Sequence, residues 1–387
     1  MLQVIDIILF IPIAFSIGYI FIFAILSLLH SKHTTIPTQI THRFLVIFPA
    51  YAEDQVITDA IGGFLRQEYD RDHFDVVVVS DHMLDETNER LKALPINLLI
   101  ATYENSSKAK ALQLTISKMG DDYDYVIILD ADNKVDANFL SRINNYCTKD
   151  TIAIQAHRQA KNLNTPVALL DAVSEEINNS IFRKGHSNIS MSAALIGSGM
   201  CIEYNWFKEH VFALSTSGED KELEEALLLE GKHIEYLEDI PVYDEKVQNG
   251  KNFGNQRKRW IAAQIYALKS LAKNLPKATR EKRIDYIDKF IQQLLLPRSI
   301  CIVLVPVITI AVILINHNYA IKWITVCLML LLALLIAIPK KFYNKRTLLA
   351  AMSIPGLVCR MIANLLHLKG ANQNFIHTQH GVDENHK

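Results

Sequence analysis

The chain lacks the markers of several protein classes. Its 387 residues hold five cysteines: Cys147, Cys201, Cys301, Cys327 and Cys359. They are scattered, without CxxC or CxxH spacing, so no zinc site or disulfide framework follows from them. Reduced thiols are expected. The net charge is −1, which provides no global field to attract nucleic acid. There are no internal repeats and no low-complexity segments. No basic segment precedes the first apolar run and no clear small-residue cleavage site follows it, which disfavours a removable signal peptide.

Apolar residues are plentiful. Hydrophobic content is 50% and mean hydropathy is +0.13, and the excess is concentrated in a few runs. Val4 to Leu29 carries one charge, Asp6, and is long enough to cross a bilayer at about 20 residues per span. Lys32, His33 and Arg43 follow it, which places the downstream end in the cytoplasm. Ser299 to Ile315 and Ile321 to Ile338 form a second and third candidate span, joined by Asn316-His317-Asn318-Tyr319 as a hairpin. Lys340, Lys341, Lys345 and Arg346 mark the return to the cytoplasm. Thr347 to Leu368 is apolar but interrupted by Pro355-Gly356 and Arg360, and reads as an interfacial or re-entrant helix.

Between the first run and the hairpin, short β-rich runs alternate with amphipathic stretches. Phe44 to Phe48, closed by Pro49, reads as a strand, as do Val76 to Val79, Ile96 to Ala101 and Tyr125 to Leu129. Val56 to Arg66 and Lys108 to Met119 read as helices. Continuous apolar strands separated by helices predict a parallel sheet covered on both faces. Ligands of such sheets sit outside the carboxyl ends of the strands. Asp81 and the pair Asp130 and Asp132 stand at two such ends. From Lys246 to Arg283 the chain turns basic, either as a solvated face or as a patch meeting anionic headgroups. Ile284, Ile287, Phe290, Ile291, Leu294 and Leu295 then share one helical face, as an interfacial helix requires. The expected division is an N-terminal span (1–30), a catalytic α/β domain (40–275), an interfacial helix (276–297), a hairpin (298–340), a second interfacial or re-entrant helix (345–369) and a cytoplasmic tail (370–387).

Two carboxylates one residue apart, just after a buried strand, can coordinate a hard cation through oxygen, and that cation can neutralise a diphosphate leaving group. Alone, Asp130-Ala131-Asp132 could equally cap a turn. Glu219 and Asp220 open a predicted helix. Ordinary capping accounts for acids there, yet Asp220 could also take a proton from an acceptor hydroxyl. Gln256, Arg259 and Trp260 fall within about one helical turn. An arginine there can stabilise a departing phosphate and a tryptophan face suits a sugar ring; membership of the basic membrane-facing patch is the alternative.

Taken in order, Phe48-Pro49-Ala50-Tyr51-Ala52-Glu53, Val79-Ser80-Asp81, Lys108, Asp130-Ala131-Asp132, Gly197-Ser198-Gly199-Met200, Gly218-Glu219-Asp220 and Gln256-Arg257-Lys258-Arg259-Trp260 resemble a family 2 glycosyltransferase of the GT-A fold. The likeness is to the membrane-bound branch with the cellulose, chitin and hyaluronan synthases, and it covers roughly residues 44 to 270. The resemblance implies a nucleotide pocket of Pro49, Ala50, Tyr51 and Glu53, with Asp81 at the base or ribose and Lys108 at the nucleotide or diphosphate. It implies Asp130 on the nucleotide-sugar and Asp132 on a divalent metal, Mg2+ or Mn2+. Gly199, Met200, Glu219, Gln256, Arg259 and Trp260 would face the acceptor and diphosphate. Asp220 would be the base of an inverting transfer. Phe375, Thr378 and His380 partly match a gating loop of cellulose synthases; a polar tail is the alternative. Ala52 stands where the family usually has Asn, and Ser107 and Ala109 flank Lys108 where glycines are common.

The leading expectation is therefore a membrane-anchored inverting transferase at the inner face of a membrane. It would move a sugar from a UDP-sugar to a saccharide acceptor with a β-linkage, in contact with membrane lipids and with no nucleic acid partner. Transfer of one sugar to a polyprenyl-phosphate or other lipid-linked acceptor is the second reading. A membrane protein that binds a nucleotide-sugar without turning it over is the third. Three spans are few for a polymer channel, so a processive enzyme would need a second copy or a channel-forming partner.

Overall fold

The computed structural model describes residues 2–29, 40–248, 250–315 and 319–358. An eight-stranded sheet organises the chain, in the order β3-β2-β1-β4-β7-β6-β8-β5. The strands are β1 (Phe44–Tyr51), β2 (Phe74–Asp81), β3 (Asn97–Ala101), β4 (Tyr125–Ile128), β5 (Lys134–Val135), β6 (Ala153–Ala160), β7 (Met200–Glu203) and β8 (Ile234–Asp244). β1 to β4 run parallel, as do β6 and β8. β7 runs against both β4 and β6, and β5 against β8.

Alternation along the central strands explains their continuous apolar sequence. Leu45, Ile47, Val77, Val79, Val126 and Ile128 face one layer, with Leu112 of helix Lys108–Lys118 and Leu223 and Leu227 of helix Glu219–Leu229. Phe44, Val46, Phe48, Val76, Val78 and Ile127 face the other, with Ile61 of helix Ile57–Phe64 and Leu140 of helix Phe139–Asn144. Both faces are covered, so neither needs polar residues.

Pro49 does not close β1. The strand continues to Tyr51, with Pro49 opposite Val79. The reason lies in the neighbouring strand. Ile47 accepts from Leu129 N–H, and Pro49, two residues on, faces the same side beyond the end of β4 at Ile128. Its missing N–H therefore breaks no ladder bond.

Among the described residues, three helices are long and apolar enough to cross a membrane, within Asp6–Leu26, Arg298–Ile315 and Ala320–Ala337. Ile13 and Ile17 of the first meet Val305 of the second and Trp323, Val326 and Leu330 of the third. The first helix also packs on the sheet domain. Phe23 and Ala24 meet Leu169 and Val173 of helix Pro166–Asn179. Thr165, whose hydroxyl accepts from Ala168 N–H, caps that helix, and Pro166 fills its first turn, where a missing N–H costs nothing. The basic stretch is mostly one helix, Gly250–Arg280, antiparallel to Ile284–Leu294 across a short turn. Lys246, which opens that stretch, is not on a solvated or headgroup-facing surface. It is 3% exposed, and its ammonium pairs with Asp244 at 2.7 Å and Glu175 at 3.4 Å.

Candidate active site

The carboxyl ends of β1, β2 and β4 open onto a cavity of about 620 Å3. Pro49, Ala50, Tyr51, Glu53, Asp81, Lys108, Asp130, Asp132, Glu219, Asp220, Gln256 and Trp260 all line it. Residues separated by more than 200 positions are thus gathered by the strand ends, two helix starts and one face of the long helix. Gly199 and Met200 are not brought to this wall. Gly199 has a positive φ of 67° and sits against Val242 and Ala156; a Cβ there would come within 3.0 Å of Val242 Cγ2. Met200 is buried in the core. Gly197 lines the cavity instead. Arg259 lies on helix Gly250–Arg280, with its side chain outside the described residues. Phe375, Thr378 and His380 also lie outside the described residues.

Lys108 is the hub of the near wall. Its ammonium donates to Asp130 Oδ1, and to Gly197 O at 2.7 Å, and lies 3.8 Å from Glu219 Oε1. Burial works against its charge, but Asp130 and Glu219 beside it hold its pKa above the ordinary lysine value. Ser107 caps the same helix, accepting from Lys110 N–H, so it fixes where Lys108 enters the cavity. Glu219 is pushed up to about 7. Burial is the main cause; Lys108 pulls the other way, and the charge of Asp220 adds to the rise. Asp220 is more open, its side chain 19% exposed, and one oxygen accepts from Lys221 N–H.

Asp130 and Asp132 are held differently. The Asp130 N–H donates to Asn133 Oδ1 at 3.0 Å, and Asn133 also receives the Ser198 hydroxyl. Asp132, 2% exposed, accepts Glu245 N–H at 2.7 Å on one oxygen and Asn133 Nδ2 at 3.3 Å on the other. The same Asn133 amide reaches Asp244 Oδ1 at 3.2 Å, so Asn133 ties the two carboxylates together. Among the described residues, no group of three His, Cys, Asp or Glu side chains is spaced to hold a metal ion. The donor chemistry nonetheless fits a hard cation of the Mg2+ kind. Such ions take one or two carboxylates and complete their shell with ligand phosphates and water, and a carboxylate has about four acceptor sites in all.

A buried charge cluster that adjoins Asp132 through Asn133 and Asp244 was not legible as a site in the sequence. Arg158 donates to Glu175 at 2.9 Å and to Ile196 O at 3.3 Å. Arg183 lies 3.7 Å from Glu175, and Lys246 bridges Glu175 to Asp244. Burial opposes the Glu175 charge, but Arg158, Lys246 and Arg183 hold its carboxyl well below the usual carboxylate range. Asp244 is also held low, by Lys246 and Arg158 against burial. The members come from β6, two segments of one interrupted helix and the end of β8. The one local signal was Thr165-Pro166, which announces the helix that carries Glu175.

Residues 125–338 match the family described as glycosyl transferase family group 2. Residues 45–201 match glycosyl transferase family 2. Among solved structures, the fold is similar to the mannosyltransferase PcManGT from Pyrobaculum calidifontis, in complex with GDP-Man and Mn2+. The TM-score is 0.59 at 14% identity, over 92% of this chain and 99% of that one. TarS 1–349 from S. aureus, in complex with UDP-GlcNAc, gives a TM-score of 0.44 at 14% identity, over 84% of this chain and 90% of that one. No curated protein matches the chain.

Proposed function

The chain belongs to glycosyl transferase family group 2 and is a glycosyltransferase, and we propose that it inverts the anomeric centre of a nucleotide-sugar at a membrane surface. The observation that carries this reading is the convergence of Asp81, Lys108, Asp130, Asp132 and Asp220 on one cavity at the sheet's carboxyl edge. Tyr51 and Asp81 hold the nucleoside; a UDP-sugar is the donor that the sequence motifs favour. Lys108 and Asp130 hold the sugar-diphosphate side. Asp132, with Asp244 as a second carboxylate, would hold a divalent cation that neutralises the leaving diphosphate.

Asp220 is the base. An acceptor hydroxyl oxygen attacks the anomeric carbon, its proton passes to Asp220, and the bond from that carbon to the diphosphate oxygen breaks. The nucleoside diphosphate leaves with the bonding pair, and an α-linked donor yields a β-linked product. Gln256 supports the acceptor side, because its Oε1 is buried without a hydrogen-bond partner among the described residues and lines the cavity. Such an acceptor atom is costly to leave unmade, and a substrate hydroxyl would satisfy it. The motif Gln256 to Trp260 favours the synthase-like branch. The three apolar helices favour a membrane anchor, with the catalytic domain on the cytoplasmic side.

Asp220→Asn tests the assignment. Removing a general base should lower transfer by about 10² to 10⁴-fold while nucleotide affinity, measured by calorimetry, stays largely unchanged. Wild-type turnover in that variant would remove Asp220 as the base.

A further inference from the structure

Asp132 and Asp244 line the cavity, but the residue that joins them does not. Asn133 is 2% exposed and lies behind the two carboxylates. Ser198, fully buried, meets Asn133 from the other side. The turn Gly197-Ser198-Gly199 therefore gives Gly197 to the cavity wall and Ser198 to this hidden layer.

The backbone dictates the meeting. Asn133 N–H donates to Asp130 O at 3.0 Å, which closes a turn over Asp130-Ala131-Asp132-Asn133. The chain then enters β5, where Lys134 pairs with Tyr243 in an antiparallel register. Carried back one residue, that register sets Asn133 opposite Asp244, within reach for cross-strand side chains. On the other side, Gly199 N–H donates to Ile128 O at 2.9 Å, and Gln155 Nε2 donates to Ser198 O at 2.9 Å. Gly197 and Gly199 both have positive φ, 82° and 67°, which glycine adopts without steric cost. The turn so pinned brings the Ser198 hydroxyl to the Asn133 amide.

The amide works in two directions. Its Oδ1 receives Asp130 N–H at 3.0 Å and the Ser198 hydroxyl. Its Nδ2 donates to Asp132 Oδ1 at 3.3 Å and to Asp244 Oδ1 at 3.2 Å. Donors surround the oxygen and carboxylates surround the nitrogen, so the network assigns which way round the amide lies. An aspartate of the same shape would have no donor for either carboxylate. The second oxygen of each acid is also held: Asp132 Oδ2 accepts Glu245 N–H at 2.7 Å, and Asp244 Oδ2 meets the Lys246 ammonium at 2.7 Å. One amide thus sets the spacing between two otherwise anchored carboxylates.

Resting on the reading that Asp132 and Asp244 hold a divalent cation, we propose that Asn133 is the positioning residue of that pair and that Ser198 orients Asn133. Asn133 offsets the repulsion between the two carboxylates and keeps them at a fixed separation. Groups that hold a cation's ligands from behind change its affinity by about 10 to 100-fold. The Gly197-Ser198-Gly199 turn then acts on the donor side of the transfer, through the amide.

The test titrates Mn2+ into the detergent-solubilised full-length chain, alone and with UDP or GDP, and reads free Mn2+ by EPR. Asp132→Asn is the control for the cation site. Asn133→Leu, similar in size and without either polar function, should bind Mn2+ about 10 to 100-fold more weakly than wild type. Ser198→Ala should weaken binding by a smaller factor. The double variant should be no weaker than Asn133→Leu, because Ser198 acts through the amide. The Mn2+ concentration that half-saturates transfer should rise in parallel, so excess Mn2+ restores part of the lost rate; a merely structural defect would not respond to the cation. If Asn133→Leu does not fold, Ser198→Ala carries the same comparison. Wild-type Mn2+ affinity in the folded variant would overturn the positioning role while leaving the cation reading intact. Mn2+ binding that Asp132→Asn does not weaken, or no Mn2+ binding by wild type, would overturn the cation reading and the positioning role with it.

Discussion

Glu219 and Asp220 are neighbours with different surroundings. Both line the cavity, but Asp220 is the more open, beside Lys221, whereas Glu219 is buried and raised to about 7. The free glutamate value is about 4.3, so the native state keeps a proton that the unfolded chain has lost between the two values. Stability from this group is complete below about 4.3 and is lost as pH rises through about 7. Glu219→Gln removes that dependence. In thermal melts at pH 5.5 and 7.5, the variant should gain on wild type at the higher pH; equal differences at both would contradict the raised value. Ala52 offers a second residue-scale test. Its φ is 51°, a left-handed conformation that costs an L-residue about 1–2 kcal/mol, and its N–H donates to Asp81 O. Asn tolerates that conformation better. Ala52→Asn should therefore stabilise the protein by about 1 kcal/mol in denaturant titration, with the hydrogen bond kept.

At the scale of elements, the attachment of the first helix to the sheet domain is the most specific contact. A Cβ on Gly185 would lie 2.4 Å from Phe23 O, the His186 ring stacks on Phe23 at 3.8 Å, and Tyr19 donates to Asp288 at 2.8 Å. Gly185 is the residue that lets the two backbones approach. Gly185→Ala overpacks this contact and should cost about 1–3 kcal/mol, read as a lower Tm of the detergent-solubilised chain; an unchanged Tm would mean the helices are not so closely seated. Legibility of elements followed burial. β1, β2 and β4 are buried on both faces, so their apolar runs could be read directly, and Asp81, Asp130 and Asp132 fell at their ends. β6 hid its nature, because Gln155, His157, Arg158 and Gln159 break the pattern. Gln155 is buried yet satisfied, donating to Ser198 O at 2.9 Å. The cluster around Glu175 was equally hidden: its members are far apart in the chain, and only the pairing of β6 with β8 and the helix after β6 bring them together. Gly199 had the right chemistry for close approach but serves the sheet, not the substrate wall.

In the whole molecule, one cavity joins the sheet's carboxyl edge to the apolar helices. Strand ends line it with Asp81, Asp130 and Asp132, the long helix Gly250–Arg280 with Gln256 and Trp260, and helices Pro166–Asn179 and Arg298–Ile315 with Glu175 and Ile302. The most direct measurement is the anomeric configuration of the transferred sugar. Purified full-length protein is supplied with labelled UDP- and GDP-sugars and Mn2+, and the product is read by NMR beside an Asp220→Asn control. The expected result is a β-linked product from an α-linked donor, with nucleoside diphosphate released and product lost in the variant. An α-linked product, or undiminished product from Asp220→Asn, would contradict inverting transfer at this site.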